Sequence, residues 1–138
     1  MTLPYVMVEG NVVAEPELRF TPGGKAVVNF RVAANSKRQV NGQWEDGDSL
    51  FMSCSAWEQL AENIAETVKK GMAVMVYGQL KQREWEDKEG QKRISVEMDA
   101  RNVGISLRYA TAEVKRIERS KGPEQAAKGG ASSDEPPF

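Results

Sequence analysis

The chain has 138 residues, 40% of them hydrophobic, which supplies one modest core and an appendage. Its 19 Lys and Arg against 20 Asp and Glu leave a formal net charge of -1, so any surface that attracts a polyanion has to be a local patch. The sequence has no histidine and one cysteine, Cys54, which removes the commonest general base, the commonest metal ligand and any intrachain disulfide.

In chain order, residues 5–13 are dense in β-branched and apolar side chains and read as a strand, with Gly10 marking a bulge or bend. Glu15 and Pro16 break that run, and residues 18–20 form a short strand closed by the turn signal Pro22-Gly23-Gly24. Residues 26–34 set Val28, Phe30 and Val32 against Val27, Asn29 and Arg31, the alternation of a half-buried strand. Residues 35–48 read as a polar loop that holds the hairpin signal Asn41-Gly42 and, out of character, Trp44. Residues 50–56 return as a strand.

At Trp57 the period changes. Trp57, Leu60, Ala61, Ile64, Ala65 and Val68 recur at three- and four-residue steps, one face of a helix with Lys69 and Lys70 in its last turn and Gly71 just beyond. A strand over 72–85 bends at Gly78, a turn follows at 87–90, and 92–105 is a long last strand. Short strands with glycines at bends, and one helix after the third main strand, predict an all-β fold with one helix: a five-stranded OB-fold Greek-key barrel. An open antiparallel sandwich competes on pattern alone. From residue 112 the chain is charged, then small and polar, a composition that cannot repay the entropy of ordering. The expected division is a domain over 1–111 and a disordered tail over 112–138. No segment approaches the ~18 apolar residues of a membrane span and no leader is evident, so a cytoplasmic location is expected.

Catalysis has little to stand on. Cys54 has no histidine to activate it, there is no cysteine cluster for zinc, and no glycine-rich phosphate loop precedes the helix. No enzyme activity, metal or cofactor is expected. What the sequence does offer is cations and aromatics interleaved on strands. Bases stack on aromatic faces whatever their identity, while nearby cations hold the phosphates. Lys81, Arg83 and Trp85 share one strand at period two and so one face. Lys92 and Arg93 lie across the predicted hairpin, and Lys37 and Arg38 open the polar loop. For any single lysine among them ordinary surface is the stronger reading; for the Lys81-Arg83-Trp85 row the two readings balance. Trp57 fits a core anchor as well as a stacking platform, Trp44 a loop cap as well as a base contact, and Phe51 and Phe20 share that ambiguity. The chain ends Asp134-Glu135-Pro136-Pro137-Phe138, an acidic, stiffened tip with a terminal ring and carboxylate suited to capture by a protein pocket.

Taken in order, VEGNVVAEPELRFTPGGKAVVNFRVA, AWEQLAENIAETVKKG and VYGQLKQREWEDKEGQKR resemble the bacterial single-stranded DNA-binding proteins over roughly the first 105 residues, and the ending DEPPF resembles that family's tip. GQWEDGD and SLRYATAEV are similar to the actinobacterial branch, in which a strand after the barrel clamps a neighbouring subunit; residues 106–114 hold that place. The resemblance implies a nucleoid-associated homotetramer that binds single-stranded DNA and serves replication, recombination and repair. It implies base stacking for Phe51, Trp57 and Trp85, an aromatic position for Phe20, and strand-tracking cations at Lys70, Lys81 and Arg83. Gln59 and Glu84 stand where lysine is common, which implies a leaner basic groove. An OB-fold RNA-binding or primosome-type adaptor with weak DNA affinity is the first alternative, and a pure protein-interaction module the second.

Overall fold

The computed structural model describes residues 1–118. Its elements are β1 (Tyr5–Val12), β2 (Glu17–Phe20), β3 (Ala26–Val40), β4 (Gln43–Trp57), α1 (Glu58–Thr67), β5 (Ala73–Glu86) and β6 (Lys92–Ile105). β1 pairs with β5 from Tyr5 to Asn11 and crosses to β3 at Asn11 and Val12. With β3–β4, β4–β6 and β6–β5 this closes a five-stranded ring, in which β4 and β6 run parallel and every other pair antiparallel. The ring is the expected OB barrel, and its closure excludes the open sandwich. β2 extends β3 beyond the point where β1 leaves it, through Glu17–Asn29 to Phe20–Ala26.

The core follows from alternation. Val8 and Val12 on β1, Val28, Phe30 and Val32 on β3, Met52, Cys54 and Ala56 on β4, Val74 and Val76 on β5, and Met98 and Ala100 on β6 all point inward and are buried. Ala61 and Ile64 of α1, with Val68 just beyond it, complete the core, and the helix packs against β2, β3 and β4. Burial pushes the Cys54 thiol up to about 12, so it stays protonated and acts as a packing residue.

Three expectations shift. Residues 35–48 are not a loop: β3 and β4 continue as a long hairpin arm to a turn at Asn41 (φ 52°) and Gly42 (φ 78°), the pair of positive angles that an Asn-Gly hairpin turn needs. Polar side chains suit such an arm because both its faces meet water. Gly10 is a close approach within a regular pairing: a Cβ there would lie 2.3 Å from the Ala33 carbonyl oxygen where β1 crosses β3, and register shifts fall at Tyr77/Gly78, the expected bend, and at Asn35/Lys37 instead. The helix stops at Thr67, so Lys69 and Lys70 lie past its end. Residues 106–118 form no helix or strand within this chain, and residues 119–138 lie outside the described residues, with most of the expected disordered tail and all of the tip.

Candidate nucleic-acid interface

The barrel's outer face repeats the alternation in reverse. On β4 it carries Phe51, Ser53, Ser55 and Trp57; on β3 their partners Ala33, Arg31, Asn29 and Val27; on β6 Glu97 and Asp99 beside Ser53 and Ser55; and on β5 Lys81 opposite Glu97, then Arg83 opposite Ser95 and Trp85 opposite Arg93. Phe51 (53% exposed), Trp57 (44%) and Trp85 (42%) therefore share one face and keep their rings open to solvent. The sequence ambiguity over Trp57 resolves toward the surface. It ends β4 without capping the helix by its side chain, and the chain turns sharply through Glu58 at φ 59°. A non-glycine residue in that left-handed region costs about 1–2 kcal/mol, and such strain clusters where a side chain is held for a purpose.

The same face holds an open groove of about 530 Å³, lined by the cations Arg19, Arg31 and Arg83 and the carboxylates Glu15, Glu17 and Glu97, with Asn29 and Ser53 among them. Its floor is ordered: the Ser55 hydroxyl donates to Asn29 Oδ1 at 2.9 Å. The Arg31 guanidinium carbon sits 5.3 Å from the centroid of the Phe51 ring, a cation–π contact that fixes both side chains. Sequence reasoning missed Arg19 and Arg31. The signal was present in the 26–34 alternation, which already set Arg31 outward, but the strand partners that bring it to Phe51 are not written locally.

The other predicted cations lie further out, and ion pairs hold several of them. On the β3–β4 arm Lys37 pairs with Asp46, and Arg38 with Glu45 at 3.8 Å. Trp44, opposite Gln39 near the arm's end, is exposed and caps nothing. At the β5–β6 tip Arg93 Nε donates to Asp87 Oδ2 at 2.9 Å. Backbone N–H donation from Gln91, the Arg93 contact and the N–H of Glu89 hold the Asp87 carboxyl below its usual range, so this carboxylate organises the turn. Lys70 lies where its own backbone N–H donates to Glu15 Oε1 at 3.1 Å, at the end of the groove that Glu15 also lines.

Three positions fall on the opposite side. Phe20 pairs with core-facing Ala26, so its exposed ring stands on the other side of the sheet from Phe51, Trp57 and Trp85. Lys92 pairs with Glu86, one residue out of step with the Trp85–Arg93 row. Glu84 pairs with Ile94, again on the far side of the ribbon from Trp85. The expectation that Glu84 thins the groove's charge is therefore corrected: the carboxylates on the aromatic face are Glu97 and Asp99 on β6 and Glu17 on β2, opposite Asn29, with Glu15 at the groove's end.

A second hollow, about 780 Å³, opens between residues 106–113 and the outer side of β1 and β3. Ser106 belongs to the barrel, because its N–H donates to the Ala73 carbonyl at 2.9 Å and its hydroxyl to Glu9 Oε2 at 3.2 Å. Beyond it Leu107 and Tyr109 expose their side chains. Over Tyr5–Gly10, β1 pairs on one side only, and Tyr5, Met7, Met75 and Tyr77 make an exposed apolar strip with the two tyrosine rings stacked at 5.6 Å. Among the described residues no group of three or more acidic or cysteine side chains could hold a metal, and no helix is long and apolar enough to cross a membrane.

The model of the single-strand binding protein family matches residues 4–106. A single-stranded DNA-binding protein of Mycobacterium tuberculosis is 46% identical over 140 residues, covering 95% of this chain and 85% of its own. One from Corynebacterium glutamicum is 53% identical over 117 residues, covering 83% of this chain and 52% of its own. The crystal structure of a small single-stranded DNA-binding protein from Streptomyces coelicolor superimposes with a TM-score of 0.69 at 34% identity, over 78% of this chain and 97% of that one.

Proposed function

The chain belongs to the single-strand binding protein family, and on that premise we propose that it binds single-stranded DNA without sequence specificity and catalyses nothing. The observation that carries this reading is the outer face itself: Phe51, Trp57 and Trp85 exposed on the same side as Arg31, Lys81 and Arg83. Bases stack on the rings, and the cations hold the phosphates between them. The arms extend the path, with Lys37, Arg38 and Trp44 on one and Arg93 on the other, and Lys70 serves at its margin; Phe20 and Lys92, on the opposite side of the sheet, are met only by a strand that wraps past its edge. Exposed ion pairs are worth little, about 0–1 kcal/mol, so a phosphate can displace their carboxylates. Competition between oligo-dT and oligo-rU of equal length tests the choice of nucleic acid. The DNA strand is expected to win, and equal or stronger retention of oligo-rU would favour an RNA-binding adaptor instead.

The active form in this reading is a homotetramer in the cytoplasm, associated with the nucleoid. The one-sided pairing of β1 and the apolar strip of Tyr5, Met7, Met75 and Tyr77 support association with further copies, since an open strand edge with an apolar face beside it invites pairing. Residues 107–114 would clamp a neighbouring copy.

The tip recruits replication, recombination and repair proteins. Asp134 and Glu135 suit a basic rim, Pro136 and Pro137 lower the entropy lost on docking, and Phe138 offers a ring to a small pocket. Deleting Phe138 should abolish pull-down of such partners and leave oligo-dT affinity unchanged or slightly higher. Retention of every partner, or loss of oligo-dT binding, would contradict the assignment.

A further inference from the structure

We infer that Glu97 is a built-in competitor of DNA phosphate, a carboxylate that holds Arg83 in the free protein and limits how tightly the groove holds a strand. This inference rests on the reading that the outer face binds single-stranded DNA. Arg83–Glu97 is an ion pair with both partners lining the groove, unlike Lys37–Asp46, Arg38–Glu45, Arg93–Asp87 and Arg101–Asp99. Glu97 Oε2 accepts from Arg83 Nε at 3.1 Å and from the Ser95 hydroxyl at 3.2 Å. The Glu97 side chain is 18% exposed and that of Arg83 57%, so the acid is the fixed member and the guanidinium the one that reaches outward. Lys81 stands directly opposite Glu97 across β5–β6, and Ser53 beside it on β4 is itself opposite Arg31. One carboxylate is thus set among Arg31, Lys81 and Arg83.

A carboxylate and a phosphodiester present the same acceptor chemistry to a guanidinium. Glu97 therefore occupies, in the free protein, the donor that a phosphate takes on binding. The displaced carboxylate has nowhere distant to go, because β6 is fixed on both sides by β4 and β5. It stays close to the incoming phosphate and repels it. The other pairs differ: Asp87 is tied down by the backbone N–H groups of Glu89 and Gln91 at the hairpin tip, Asp46 and Glu45 lie along the far arm, and Asp99 pairs with Arg101, neither of which lines the groove.

The test is a salt series of oligo-dT titrations on the full chain with Glu97→Gln, which keeps size and the Ser95 contact but removes the charge. Affinity at low salt should rise roughly three- to tenfold, as expected for removing one like charge a few ångströms from a partly screened phosphate. The slope of log K against log salt should steepen by up to about 0.7, one extra phosphate neutralised. Glu84→Gln makes the same change in net charge on the far side of the ribbon and should move neither quantity. Glu97→Thr, which suits a strand, should reproduce the gain if the glutamine variant proves unstable. Unchanged or weaker binding by the Glu97 variants would overturn the inference, as would an equal gain from Glu84→Gln. Failure of the parent chain to bind oligo-dT is a separate outcome, because it removes the functional reading itself.

Discussion

Trp85→Ala lowers the affinity of the full chain for oligo-dT by ~1–3 kcal/mol for each base that loses its platform, about five- to 150-fold, and leaves the melting temperature where it was. Trp85 sits on the β5–β6 ribbon past the buried stretch of β5, and its burial contributes nothing to the core. Its loss is read in binding alone. Trp57→Ala should weaken binding by a similar amount but also cost some stability, because Trp57 pairs with buried Val27 and stands where β4 passes into α1. Trp57→Phe separates the two effects: a ring remains to stack and to pack, so both binding and melting should recover most of the loss. If Trp85→Ala and Trp57→Ala fold and bind as the parent does, the stacking assignment fails and the face is an ordinary surface.

Truncation after Ser106 is the second large effect. It leaves the barrel intact, because the bonds of Ser106 to Ala73 and Glu9 are kept. It removes Leu107 and Tyr109, whose side chains find no burial on their own chain. Large apolar side chains gain ~1.5–3 kcal/mol when fully covered, so covering them on a neighbouring copy would strengthen the assembly. The truncated protein should fold, dissociate at higher concentration than the parent, and melt at least about 5 °C lower. Unchanged mass in solution together with an unchanged melting temperature would place residues 107–114 outside the assembly contact.

The barrel was legible because its signals are local. The alternation of Val28, Phe30 and Val32, the helical step from Leu60 to Val68 and the Asn41-Gly42 turn each specify their element from neighbours alone. The long β3–β4 arm was not legible, because a two-faced polar hairpin outside a core has the composition of a loop. The face was half legible. Period two placed Lys81, Arg83 and Trp85 together, but it could not say that Phe20, Lys92 and Glu84 fall one step out of phase, since register across strands depends on partners remote in sequence. For the same reason Arg31 over Phe51, and Glu97 among the cations, emerge only once β3, β4, β6 and β5 lie side by side.

Intrinsic tryptophan fluorescence of the full-length protein, titrated with oligo-dT, tests the central claim most directly. Trp57 and Trp85 lie on the proposed stacking face and Trp44 on the adjoining arm, so all three tryptophans report on it. Saturable quenching that reverses with added salt is the predicted result. A protein that is folded by its melting curve and shows no quenching at any strand length would contradict the claim that this face binds single-stranded DNA.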